Sequence, residues 1–138
     1  MPGCVLRVTT KTEQVDAAVN ASGLRPIAVF NRGAPKVPGG ARVAASSGFN
    51  VEVSESEDLD EQVRDAVRFL KRHAVGLRRL HRLRIFGGMT LDFASGDRGT
   101  ENVPWPSYRF PFALVELAGK HRIEIELSIY GVKPLDPP

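Results

Sequence analysis

The sequence holds one cysteine, Cys4, one tryptophan, two tyrosines and no apolar run approaching a membrane span. A lone thiol excludes an intramolecular disulfide and any thiolate metal cluster. In its apolar surroundings Cys4 reads as a small residue of the first strand rather than as a nucleophile. A membrane helix needs ~18 consecutive apolar residues, and the first residues lack a signal-peptide pattern; both point to a cytoplasmic chain with no membrane partner. Signatures of reaction chemistry are missing as well. His73, His81 and His121 show neither HExxH nor HxH spacing, so no metal is expected. "FGGMT" and "SGDRGT" match neither a P-loop nor a dinucleotide fingerprint. No cofactor is expected, and the reading leans away from an enzyme.

What the chain does have is size, a core and a divided charge. Its 138 residues are 42% hydrophobic and 25% charged, which suits one globular domain (1–132) followed by a proline-rich tail (133–138) expected to fray. The net charge of +3 conceals an asymmetry. Residues 52–65 carry seven acids (Glu52, Glu55, Glu57, Asp58, Asp60, Glu61, Asp65) against Arg64, a balance of −6. Residues 68–84 carry seven bases (Arg68, Lys71, Arg72, Arg78, Arg79, Arg82, Arg84) and no acid, a balance of +7. The chain is a charge dipole, not a uniformly basic polypeptide, which weakens any inference from its high pI to a polyanion.

Periodicity then orders the elements. Residues 4–9 alternate as a strand with Cys4, Leu6 and Val8 on one face. Residues 12–21 suit a short helix closed by Gly23. Residues 26–30 and 44–53 read as strands, separated by the Gly/Pro-rich loop 31–40. From Asp58 to Ala74 the pattern is strongly helical. Asp58 with Glu61 has the spacing of a carboxylate cap, and Leu59, Val63, Ala66, Val67, Phe69, Leu70, Ala74 and Leu77 fall on an arc of roughly 160° at ~100° per residue. Gly76 is expected to interrupt or end that helix, with a short turn over 77–83 before a strand over 83–93 bulged at Gly87 and Gly88. Pro111 is placed in the first turn of a helix closed by Gly119. The final strand, 122–130, puts Ile123, Ile125, Leu127 and Ile129 inward and Glu124 and Glu126 on the other face. The order predicts an α+β fold: a ferredoxin-like βαββαβ antiparallel sheet extended by a C-terminal αβ, with helices on one face.

The candidate surfaces follow from this layout. Arg64, Arg68, Lys71, Arg72 and Arg79 lie opposite the apolar arc of the helix. Acids at a helix start and bases toward its end complement the macrodipole, and Glu61–Arg64 and Asp65–Arg68 are spaced as i,i+3 pairs, so helix stability alone explains much of the pattern. The same face would serve a protein partner or, less well, nucleic acid. Phosphate binding needs the cations, but single-stranded recognition also needs exposed rings, and this face has none. The segment 103–112 sets four aromatics, Trp105 and Tyr108 among them, between three prolines. It reads either as a lid sealing one end of the core or as a rigid binding edge. A cleft beside Gly87 and Gly88 is the place for a small ligand, and a free last strand or the basic helix would serve a homodimer.

"GLRP" (23–26), the Gly/Pro loop, "SGFNVEVSE", the helix over 59–80, "LDF" (91–93), "FPFALVELAG" and "IEIELSIYG" together resemble a bacterial domain-of-unknown-function family of about this length with a ferredoxin-like core. The resemblance spans nearly the whole chain. Some relatives belong to toxin–immunity neighbourhoods, which implies a non-enzymatic binding role and assigns no catalytic residue. The expected function is a cytoplasmic protein-interaction domain, immunity-like. The alternatives are nucleic-acid binding through the basic helix face and small-ligand binding.

Overall fold

Cys4, Leu6 and Val8 are completely buried while Arg7 between them is exposed. Their strand, β1 (Cys4–Thr10), is the centre of the molecule. The computed structural model describes residues 3–35, 39–96 and 107–130. After β1 come α1 (Val15–Ser22), β2 (Ala28–Phe30), β3 (Ser47–Ser54), α2 (Leu59–Arg72), α3 (Ala74–Arg82), β4 (Phe86–Ser95), α4 (Phe112–Lys120) and β5 (Glu124–Ile129). The chain is an α+β protein with one five-stranded sheet of order β2-β3-β1-β4-β5.

β3 and β4 both pair antiparallel with β1, and β2 pairs antiparallel with β3. β5 runs parallel to β4, so the sheet is mixed and not wholly antiparallel as expected. The cause is α4, since a strand reached through a helical crossover points the same way as the strand it left. The expected bulge is present: the register of β1 against β4 shifts at Gly87, with Thr9 opposite Gly88 and Thr10 opposite Phe86.

The helices differ from their expected bounds at several places, beginning with α1, which starts at Val15 instead of residue 12. The basic helix breaks at His73 (φ −103°, ψ 18°), which ends α2 and begins α3. Gly76 lies inside α3, where a Cβ would sit 2.1 Å from the Ser22 carbonyl oxygen at the end of α1. It is there for close helix packing, not for termination. Residues 83–85 accordingly form a turn, and β4 starts at Phe86.

In α4, Pro111 is the extended residue before the helix instead of a member of its first turn. The helix also passes through Gly119 to Lys120. The left-handed position falls to Arg122 (φ 54°). Its N–H donates to the Gly119 carbonyl at 3.1 Å, and that of Ile123 to the Ala118 carbonyl at 2.8 Å, the bond pair of a Schellman cap.

Val15 and Ala18 of α1, Val63, Ala66 and Leu70 of α2, Leu77 and Leu80 of α3, and Leu114 and Ala118 of α4 join one apolar cluster with the Cys4–Leu6–Val8 face. Ile123 closes it, and Ile125 and Leu127 are half-buried. Ile129, expected inward, is 66% exposed because it ends an edge strand. Gln62 is fully buried within this apolar set. Its Nε2 donates to the carbonyls of Ser56 (3.0 Å) and Ala94 (2.9 Å), and its Oε1 accepts from the Ala94 N–H at 3.1 Å. The side chain thereby fastens the start of α2 to the end of β4. No helix among the described residues is long and apolar enough to cross a membrane. The tail 133–138 lies outside the described residues.

Candidate functional site

α2 carries its charges as its local chemistry dictates. Asp58 caps the helix by accepting from the Glu61 N–H at 3.1 Å, and Asp60 and Glu61 follow in the first turn. Lys71 and Arg72 occupy the last turn, where cations meet the negative end of the helix dipole. Arg64, Arg68, Lys71 and Arg72 are exposed, as is Arg79 on α3. Of the two expected helical pairs, Asp65–Arg68 forms. Glu61 instead accepts from Ser56 Oγ at 2.7 Å, leaving Arg64 without it. Asp65 also accepts from Ser54 Oγ at 2.6 Å. That bond, with the Arg68 guanidinium, holds its carboxyl below the usual range.

The break at His73 decides which cations meet. Arg68 and Arg72 line a depression of about 200 Å³ with Val53, Asp65, Phe69 and His73. The His73 ring lies 4.5 Å from Phe69, and burial followed by Arg72 lowers its pKa. A second depression of about 270 Å³, lined by Arg78, His81, Arg82, Lys120, His121 and Arg122, lies between α3 and the α4 cap. The sequence pattern did not single out this group. Projecting Arg79 on the same wheel as the 58–74 helix put it on the charged face, and nothing local brings Lys120 and Arg122 alongside. The i,i+4 spacing of Arg78 and Arg82 was the one available sign.

Where the aromatic segment is described, Tyr108 and Phe110 pack against the core while Phe112 is 78% exposed. Phe110 stacks on core Phe93 with ring centroids 5.1 Å apart, and Tyr108 meets Phe110 edge-on at 5.1 Å. Tyr108 Oη donates to Asp60 Oδ1 at 3.0 Å, and burial together with that carboxylate pushes its pKa up to about 12. Trp105 lies outside the described residues. At the bulge Gly87 is exposed, and a Cβ on it would stand 2.8 Å from the Thr9 carbonyl oxygen of the paired strand.

Glu124 and Glu126 face away from the core, as the alternation required. Arg7 bridges Asp92 and Glu126, the latter at 3.2 Å, and Ser128 Oγ donates to Asp92 Oδ1 at 2.7 Å. Asp92 and Glu126 are thus both engaged by the Arg7 guanidinium. Burial, then Asp92 and Asp65, push the Cys4 thiol well above its ordinary pKa, which leaves it inert. Among the described residues no group of three or more His, Cys, Asp or Glu is placed to hold a metal. Comparison with protein-family models, curated proteins and solved structures finds no match.

Proposed function

We propose that the chain is a non-enzymatic interaction domain, immunity-like as its resemblance implies, that docks an acidic protein surface on the exposed basic side of α2 and α3. The observation that carries this reading is the segregation of charge. Acids gather at the cap of α2, while Arg64, Lys71, Arg72 and Arg79 stand exposed with no carboxylate partner among the described residues. Such a field steers an oppositely charged partner and selects against like-charged ones. A protein is favoured over nucleic acid because Phe69 and His73, the rings beside these cations, are half-buried and engaged with each other.

On the same reading, β1, α1, β2, β3, α2 and β4 make up a split βαβ core of the ferredoxin-like type, with α4 and β5 added at one edge. Support comes from the neighbour order β2-β3-β1-β4, antiparallel at every step.

The test is affinity capture by the full chain, followed by calorimetry on the recovered protein with the Arg68→Glu/Arg72→Glu variant. The expected result is an acidic partner whose affinity falls at least about tenfold in the variant and weakens as salt rises. A partner indifferent to the double reversal, or preferential binding of an oligonucleotide with a steep salt slope, would overturn the proposal.

A further inference from the structure

We propose that the notch between α3 and the C-terminal cap of α4 binds the phosphate group of a small molecule, held by Arg78, Arg82, Lys120 and Arg122. This site is separate from the docking face proposed above and does not depend on it.

Its lining is unusual in composition. All six residues are arginine, lysine or histidine, from two elements distant in sequence. The four cations are exposed, and none of them has a carboxylate partner among the described residues. Like charges gathered in one concavity repel unless an anion joins them. The two walls are tied together beneath the cations, His81 Nε2 lying 2.6 Å from the His121 carbonyl oxygen. His121 itself is buried, and Lys120, Arg78 and His81 add to burial in lowering its pKa. The positive field therefore reaches the floor of the notch.

The backbone supplies an independent sign. At the Schellman cap of α4 the left-handed position, where glycine is the usual residue, is held by Arg122. A side chain in that conformation is strained, and strain of this kind persists where a site requires the residue. Here the residue in that position is one of the cations that line the notch.

The ligand class follows from charge, size and the absence of stacking surface. Guanidinium forks pair bidentately with phosphate, and four cations match a group carrying two or more negative charges better than a monocarboxylate. About 270 Å³ lies below the ~300 Å³ typical of pockets that enclose a drug-sized ligand. It accommodates one or two phosphate groups. The His81 ring is already packed on Phe86 at 4.5 Å, so it is not free to stack on a base.

The full chain should be titrated calorimetrically with inorganic phosphate, pyrophosphate, a nucleoside triphosphate and, at matched ionic strength, acetate. Saturable binding of pyrophosphate without acetate binding is the expected result, weakened at least about tenfold by Arg82→Gln or Arg122→Gly. Arg68→Glu/Arg72→Glu should leave it unchanged, which separates this site from the docking face. Arg122→Gly should also raise Tm without ligand, so its lost binding cannot be put down to unfolding. Equal affinity for pyrophosphate and the triphosphate would assign free phosphates, and tighter triphosphate binding a phosphate ester; either supports the site. Failure of pyrophosphate to bind saturably, binding of acetate as tight as that of pyrophosphate, or indifference to Arg82→Gln would overturn it.

Discussion

Individual side chains in this molecule are governed by where the fold puts them more than by type. Gln62, a polar residue on an apolar arc, is completely buried yet satisfies both backbone groups of Ala94, which removes the cost of burying an amide. His121 shows the opposite situation, a titratable ring buried under cations. Burial first, then Lys120, Arg78 and His81, depress its pKa, and burial with Arg72 does the same for His73. With folded values below the unfolded one, the native state binds fewer protons between them. The stability these neutral rings contribute is fully present above the unfolded value of about 6.5 and is lost as pH falls through the folded values. Thermal melts at constant ionic strength should show Tm declining from about pH 7.5 to 5, with part of the decline removed by His121→Gln. A flat or rising Tm over that window would contradict the assignment.

At the scale of elements, the contrast between glycine positions is instructive. Gly23 caps α1 in the left-handed conformation, and its N–H reaches the Val19 carbonyl at 3.1 Å, as its place after an apolar-periodic segment predicts. Gly76 and Gly119 look like the same signal and are not; both lie within helices. Helix propensity alone would make Gly76→Ala stabilising by roughly 1 kcal/mol. The Ser22 carbonyl 2.1 Å from the new Cβ reverses that sign. The substitution must push α1 from α3 and should destabilise by about 1–3 kcal/mol, as overpacking does. Chemical denaturation of the purified variant measures it, and a gain in stability would show that the two helices are free to separate.

Taken whole, the molecule is one sheet covered on one side by four helices that share a single apolar cluster. Its other sheet face is polar, crossed by the Arg7, Asp92 and Glu126 ion pairs. Because every helix and the central strands meet in that cluster, unfolding should be a single cooperative transition. Cys4 provides the probe: it is completely buried in the central strand, paired to β3 on one side and β4 on the other. Its reaction with a thiol reagent in urea should follow the same midpoint as far-UV circular dichroism. Thiol reactivity well before the loss of secondary structure would reveal an edge that opens separately. The charge dipole also belongs to this scale, since the cap of α2 and the ends of α3 and α4 concentrate opposite signs in different regions.

The sequence by itself determined what depends on near neighbours. Alternation named the inward residues of β1, the Asp58–Glu61 spacing named the cap of α2, and the paired glycines marked the bulge of β4. The acidic and basic runs were legible as a dipole for the same reason: charge along a helix is a local property. Tertiary structure decided everything that required two distant segments to meet. It set β5 parallel to β4, turned Gly76 into a helix contact, broke the basic helix at His73, and passed the left-handed turn from Gly119 to Arg122. Through those choices Lys120 and Arg122 came to stand beside Arg78 and Arg82. No spacing along the chain encodes that cluster, because its members are neighbours only once α3 and α4 have packed on the same sheet.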